Sequence, residues 1–203
     1  MDPFIWLTFA AAALGLSVTP GPNGLLALTH GAMHGKRLAL FTISGGVLGF
    51  MMLFAVTVAG LGVMLQASPT ALTLLKVIGA FYLIWLGVQL WQAPALKLDM
   101  VEQNGNLSAY RLFRQGMLVA LSNPKVILFL GVFLAMFIDT ERPLIPQFML
   151  MALTFAVTEF AVEYLLAALA IKARPWLIRK GKGFNRCCGV LFMALGVVLP
   201  FSQ

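Results

Sequence analysis

The sequence predicts an all-α integral membrane protein with six transmembrane helices, arranged as two inverted three-helix repeats in which helices one and four are broken. Three observations support this fold class. The composition is 61% hydrophobic and 10% charged, with a mean hydropathy of +0.93, far more apolar than an average soluble domain. The chain contains six apolar runs in series, and most of its basic residues lie in the connections between them.

The apolar runs approach or exceed the length of about 20 residues that a helix needs to cross a hydrocarbon core about 30 Å thick. In chain order they cover residues 4–28, 38–65, 72–91, 115–138, 144–171 and 187–201. We therefore interpret residues 1–203 as one transmembrane domain, with repeat one over about 1–95, a linker over about 96–112 and repeat two over about 113–203. Residues 1–19 lack the basic n-region of a secretory signal peptide, so we expect the first run to remain a span.

The basic residues predict the orientation of the chain in the membrane. Eleven Lys and Arg residues lie in the connections after spans one, three and five, whereas Arg142 alone lies on the opposite side. Because cytoplasmic loops carry the excess of Lys and Arg, these three connections are predicted to be cytoplasmic. Both termini would then lie on the outer side of the membrane.

The two halves of the chain resemble each other. Residues 16–20 and residues 119–124 both place a polar residue before a proline inside an apolar run, and residues 86–90 parallel residues 195–199. Each half contains three spans, which is an odd number, so the second half must insert upside down relative to the first. Inverted repeats of this kind are typical of secondary transporters.

Both broken helices contain proline at mid-run. The residues at the two breaks are Pro20, Gly21, Pro22 and Asn23 in the first half and Asn123, Pro124 and Lys125 in the second half. Irregular backbone at membrane depth is tolerated where it is buried in protein or lines a cavity, and paired breaks indicate a midplane substrate site. We expect freed N–H groups near residues 24–26 and 126–128 to bind a carboxylate, helped by the Asn side chains. The alternative is that the prolines only kink the helices for packing.

Two acidic residues, Glu159 and Glu163, lie four positions apart in the fifth apolar run and therefore share one helix face. Ionisable residues inside a membrane are costly and usually functional. We interpret them as a site for a substrate ammonium or for a coupling proton. The alternative is a structural ion pair with Lys125.

Other polar residues carry weaker signals. His30 and His34 are helical neighbours without an evident third ligand, so no metal site is predicted, and we interpret them as interfacial polar residues. Cys187 and Cys188 are adjacent, a spacing that suits neither a disulfide framework nor a zinc site. We expect them to be packing residues, and we predict no cofactor.

The motifs taken together resemble the signature of the LysE/RhtB family of amino-acid exporters. The resemblance rests on residues 19–23 followed by Gly31 and Gly35, on the run 79–87, and on residues 121–125, and it extends over essentially the whole chain. It departs from the family pattern at residues 135–137, where Ala-Met-Phe stands in place of a segment like Pro-Gln-Phe. That departure concerns the outer end of span four.

The resemblance implies a secondary active exporter that moves amino acids out of a bacterial cytoplasm across the inner membrane, driven by proton entry. Family function carries over by motif match to the break residues given above, but not to Glu159 and Glu163. Few acids lie within spans and Lys125 would repel another cation, so small neutral or aliphatic substrates such as threonine, homoserine or leucine are favoured over basic ones. The implied partners are the amino acid, protons and the lipid bilayer, and the sequence leaves open whether the chain forms a homodimer.

Other functional classes fit the sequence less well. A chain without a Walker A motif is expected to use an ion gradient, and neither an enzyme nor a nucleic-acid-binding protein is predicted. A metal-ion or other small-molecule exporter is the nearest alternative, although the sequence has few clustered Cys, His or acidic ligands. A membrane thiol-redox carrier would need a cysteine in each repeat, whereas Cys187 and Cys188 share one span.

Overall fold

A computed structural model describes residues 1–19, 21–67, 69–93, 108–139 and 141–198. Across these residues all regular structure is helical, which confirms the predicted all-α class. The helices are α1 (Pro3–Val18), α2 (Pro22–Ala67), α3 (Pro69–Gln92), α4 (Ala109–Leu121), α5 (Pro124–Leu128), α6 (Leu144–Ala168) and α7 (Ala170–Val198). A π-helical turn (Phe129–Phe133) and a 3-10 turn (Leu134–Phe137) continue α5. Residues 96–107 of the predicted linker lie outside the described residues.

Local sequence signals explain where several helices begin. Asp2 caps α1 by accepting a hydrogen bond from the Phe4 amide at 2.8 Å, and Pro3 occupies the first helical position, where no amide hydrogen is needed. Ser108 caps α4 in the same way, accepting from the Arg111 amide at 3.2 Å. The α4 helix therefore starts inside the stretch assigned to the linker.

Helix α2 consists of two arms that meet at one residue. Gly35 has φ 78° and ψ 160°, a conformation that is essentially restricted to glycine. The arms cover residues 22–34 and 36–67, so the predicted connection between spans one and two is a single residue. His30 on the first arm bonds Thr42 on the second, with 2.7 Å between Nδ1 and Oγ1. The interpretation of His30 as interfacial is wrong, because it is only 2% exposed.

Two other predicted boundaries differ from the structure. The stretch expected as a cytoplasmic loop after span five is helical, because α7 begins at Ala170 and continues into the sixth apolar run. Basic residues such as Lys180 do not oppose a helix, since Lys and Arg have high helix propensity. The fourth predicted span is divided at Ser122 and Asn123 into α4 and the α5 segment.

The helices pack in reciprocal pairs. The second arm of α2 contacts α4, α6 contacts α1, α2 also contacts α6, and α3 contacts α7. Glycines allow close approach in these pairs: a side chain at Gly45 would strike the Phe113 carbonyl of α4, and one at Gly87 would strike Gly189 of α7. Gly45 and Gly87 therefore serve helix packing.

The core is aromatic and the outer surface is apolar as well. Phe9 and Phe137 pack edge to face with ring centroids 5.3 Å apart, and the whole 3-10 turn that contains residues 135–137 is buried. On the outside, Val56, Phe81 and Ile145 are 70–73% exposed. Two helical stretches, Pro22–Leu61 and Leu144–Ala168, are long and apolar enough to cross a membrane, and Pro3–Val18 and Val77–Gln92 are shorter apolar helices.

Candidate functional site

The first helix break is closed by a lysine from the other half of the chain. The Lys125 ammonium donates to the carbonyl oxygen of Leu16 at 2.8 Å and to that of Thr19 at 3.0 Å. A helix would bond the Leu16 carbonyl to the amide of residue 20, but proline has no amide hydrogen. Lys125 supplies the missing donor at the C-terminal end of α1. Pro20 itself lies outside the described residues.

The second break is closed by Asn123. Its side-chain Oδ1 accepts from the Lys125 amide at 3.1 Å, and its carbonyl oxygen accepts from the Val126 and Ile127 amides at 3.1 and 3.0 Å. Asn123 is therefore the N-cap of α5, with Pro124 at the first helical position. The side chain of Pro124 is outside the described part of the chain.

The prediction that amides after the breaks are free for a carboxylate is wrong at three positions. The Val126 and Ile127 amides already bond Asn123, and the Leu25 amide donates to the Gly21 carbonyl at 2.9 Å. The physical reason is that the first turn of each half-helix forms its hydrogen bonds to the carbonyl oxygen of the residue that precedes the proline. Lys125 is a better carboxylate ligand, because an ammonium has three donors and two are used.

Asn23, just after Pro22 at the start of α2, contributes a buried amide to the site. It is 5% exposed, and its Nδ2 donates to the Gly116 carbonyl of α4 at 3.4 Å. That bond defines the orientation of the amide, because reversing it would set two oxygens against each other. The opposite atom, Oδ1, is buried and has no hydrogen-bond partner among the described residues.

Glu159 and Glu163 both face inward from α6, as their spacing predicted. They are 4% and 2% exposed. The Ser17 hydroxyl of α1 lies against the Glu159 carboxyl, whereas the Oε1 atom of Glu163 is buried without a partner in the described part of the chain. The two carboxyl groups therefore have different surroundings.

Lys125 lies close enough to both glutamates to feel their charge, yet within the described ranges no direct ion pair joins it to either one. Its ammonium is held instead by the two carbonyl groups of the first break. The alternative of a structural Glu–Lys ion pair is therefore not what the structure contains. A half-buried cation and two buried carboxyl groups share one region of the bundle without pairing directly.

A glycine lies between Asn23 and Glu163. A Cβ atom built on Gly46 would lie 2.8 Å from Asn23 Nδ2 and 3.5 Å from Glu163 Oε2. A Cβ atom built on Gly21 would lie 3.0 Å from Lys125 Nζ, so a second glycine keeps the lysine end of the site open. Both halves of the site thus depend on a glycine, which has no side chain to fill the space.

Sequence reasoning identified the charged and amide groups but missed several neighbours. Ser17 lies against Glu159, and Thr19 accepts the Lys125 bond and lies beside Cys188. Cys188 is buried, as its packing role predicted, whereas Cys187 is exposed. Sequence reasoning also did not point to Gly46, which lies between Asn23 and Glu163. Its position in a run of glycines in span two was the one available signal.

Comparisons with known proteins extend over almost the whole chain. Residues 14–203 match the family model described as LysE type translocator. The chain is 33% identical over 201 residues to the homoserine/homoserine lactone efflux protein of Salmonella typhimurium, covering 98% of this chain and 97% of the relative. It is 27% identical to the leucine efflux protein of Klebsiella pneumoniae, covering 98% and 95%.

An uncharacterized membrane protein of Vibrio cholerae is similar at the same level, 32% identical with both chains fully covered. No solved structure shows a significant match.

Proposed function

Because the chain belongs to the LysE type translocator family, we propose that it is a secondary active exporter that moves small neutral or aliphatic amino acids out of the cytoplasm. Threonine, homoserine and leucine are the candidate substrates. The names of two relatives, homoserine/homoserine lactone efflux protein and leucine efflux protein, support this class of substrate. They also support a transporter rather than an enzyme.

The observation that carries the proposal is the cluster of Lys125, Glu159 and Glu163, whose charged groups form no ion pair with one another in the described part of the chain. A zwitterionic amino acid has one carboxylate and one ammonium, and the cluster offers a lysine and two carboxyl groups that do not bond each other. The third donor of Lys125 would bind the substrate carboxylate beside Gly21. Glu159 and Glu163 would serve the substrate ammonium or a coupling proton.

Neutral side chains fit this arrangement better than basic ones. A basic substrate brings a second cation into a buried region that already contains Lys125, and each uncompensated buried charge is costly. Phe50, Phe129 and Phe155 are buried together in one apolar core, and Phe155 lies one turn before Glu159 on α6. An aliphatic side chain is compatible with such walls.

Reciprocal helix packing supports the inverted-repeat architecture. If α1 corresponds to α4, the second arm of α2 to α6, and α3 to α7, then the contact of α2 with α4 mirrors that of α6 with α1. The contacts of α2 with α6 and of α3 with α7 join equivalent elements. A two-fold relation of this kind suits alternating access by rocking one repeat against the other.

We further propose that export is proton-coupled and takes place in the bacterial inner membrane, with both termini on the periplasmic side. The orientation rests on eleven basic residues in the connections assigned to the cytoplasm against Arg142 on the other side. Proton coupling rests on the buried carboxyl groups of α6, which can exchange a proton as access alternates.

The test is uptake of labelled amino acids into inverted membrane vesicles, with the pH gradient present or collapsed. Threonine, homoserine and leucine should accumulate in a gradient-dependent manner, and lysine should not.

Asn123→Ala removes the cap of the second break and should abolish uptake. Ser122→Ala is the matched control, because the Ser122 hydroxyl is exposed and bonds only the carbonyls of its own helix. Absence of flux for every amino acid would contradict the proposal.

A further inference from the structure

Two side chains that lie against Gly46, Asn23 and Glu163, each carry a buried oxygen atom without a hydrogen-bond partner in the part of the chain that the structure describes. Asn23 Oδ1 and Glu163 Oε1 are both buried, and neither has a hydrogen-bond partner among the described residues. Buried polar atoms are nearly always bonded, because an unmet acceptor loses its contact with water and gains nothing in return. Two unmet oxygens on neighbouring side chains from different helices suit a ligand that brings several donors.

The two side chains lie on either side of a glycine. The point where a Gly46 side chain would begin lies 2.8 Å from Asn23 Nδ2 and 3.5 Å from Glu163 Oε2. The Asn23 and Glu163 side chains therefore flank the Gly46 backbone. The Gly116 carbonyl, 3.8 Å from the same point, accepts from Asn23 Nδ2 at 3.4 Å and so favours the amide orientation in which Oδ1 stays unbonded.

We propose that Asn23 Oδ1 and Glu163 Oε1, on the two side chains that flank Gly46, form the subsite for the primary ammonium of the transported amino acid. This inference rests on the proposed function and assigns its positive end to named atoms. A primary ammonium presents three donors, so it can bond both oxygens and bring a charge that offsets the carboxylate. Glu159, which lies against Ser17, is thereby left for the proton.

The experiment uses purified full-length protein in nanodiscs and measures binding by calorimetry. Leucine is compared with 3-methylbutylamine, which keeps the ammonium and lacks the carboxylate, and with 4-methylpentanoate, which keeps the carboxylate and lacks the ammonium. Glu163→Gln should weaken leucine and 3-methylbutylamine at least about tenfold, as expected for a hydrogen bond to a charged group, and change 4-methylpentanoate less than about twofold.

Gly46→Ala tests the same subsite without removing a charge. It is the deciding variant for the ammonium subsite if Glu163→Gln does not fold. It should weaken both ammonium ligands at least about tenfold. Gly60→Ala, on the same helix, is its matched control, because a side chain there meets nothing within 4 Å. Glu141→Gln, in an exposed loop, is the control for loss of a carboxylate.

Equal affinity for 3-methylbutylamine in the wild type and in folded Glu163→Gln would overturn the subsite. Binding of Na⁺ that depends on Glu163, with no binding of the amine, would overturn it as well. If the wild type transports no amino acid but binds the amine through Glu163, the subsite stands and the proposed function falls. If amino acids are exported while amine binding does not depend on Glu163, the proposed function stands and the subsite is overturned.

Discussion

The side-chain nitrogen of Lys125 lies 2.8 Å from the carbonyl oxygen of Leu16, a residue 109 positions earlier in the chain. This bond joins the second helix break to the end of α1. It places a basic residue from one half of the molecule on backbone groups that a proline in the other half leaves unbonded. The two breaks are thus one structural unit, and changes at either should affect both.

Replacing this lysine should therefore affect stability as well as transport. In Lys125→Met, the Leu16 and Thr19 carbonyls lose their donor in a buried setting, at a cost of about 1–3 kcal/mol each in the free energy of unfolding. Denaturation of the purified protein would measure this loss, and vesicle uptake should fall to background. Lys172→Met, at an exposed lysine, should change neither; unchanged stability of Lys125→Met would show that the two carbonyl bonds contribute little.

The glycine contact between α2 and α4 should be intolerant of a methyl group. A side chain at Gly45 would collide with the carbonyl of Phe113, so Gly45→Ala must push the two backbones apart. We expect a loss of about 1–3 kcal/mol, or failure to accumulate in the membrane. Gly60→Ala should be neutral or slightly stabilising, because alanine favours the helix. Comparable membrane abundance and melting temperature for both variants would contradict this packing account.

The hydrogen bond between His30 and Thr42 should stabilise the turn at Gly35. Thr42→Val keeps the shape of the side chain but removes the hydroxyl, leaving the buried Nδ1 of His30 unbonded. We expect a loss of about 1–3 kcal/mol in thermal denaturation of the purified protein. Thr57→Val on the same helix is the control, because the Thr57 hydroxyl bonds only the Leu53 carbonyl of its own turn. Equal melting temperatures would remove any stabilising role for the pair.

Coupling to protons should depend on Glu159. In Glu159→Gln, acidifying the periplasmic side of proteoliposomes should no longer stimulate export, because the amide cannot take up and release a proton. Exchange of labelled for unlabelled substrate across the membrane should persist, since it needs no net proton movement. Glu141→Gln should retain full stimulation. A variant Glu159→Gln whose export still follows the pH gradient would place the proton elsewhere.

The sequence singled out the charged residues of the candidate site, for reasons that are general to membranes. Glu163 and Lys125 stood out because a bilayer makes ionisable residues expensive, and Asn23 stood out because it follows a proline inside an apolar run. What these residues touch was not predictable. The Lys125 bonds cross the molecule, and no local pattern indicates which carbonyls a distant side chain will reach.

The misses have physical causes of their own. The sequence analysis missed that the amides of Val126 and Ile127 are hydrogen-bonded. It assumed that a proline break leaves the amides of the following turn unbonded, whereas Asn123 accepts their hydrogen bonds as a helix cap. Gly46 was missed because a glycine that leaves room for a ligand and one that leaves room for a helix look the same in sequence. The helical start of α7 was missed because basic residues were assigned to a loop by charge alone.

The turn at Gly35 has a consequence for the evolution of the chain. Since a single residue joins the two arms of α2, no loop exists between Asn23 and Gly46 that could absorb an insertion or a deletion. One added residue in the first arm would rotate Asn23 by about 100° around the helix axis and carry its amide away from Gly46. The spacing of these two residues is therefore constrained, so this stretch can accept substitutions during evolution but not insertions or deletions.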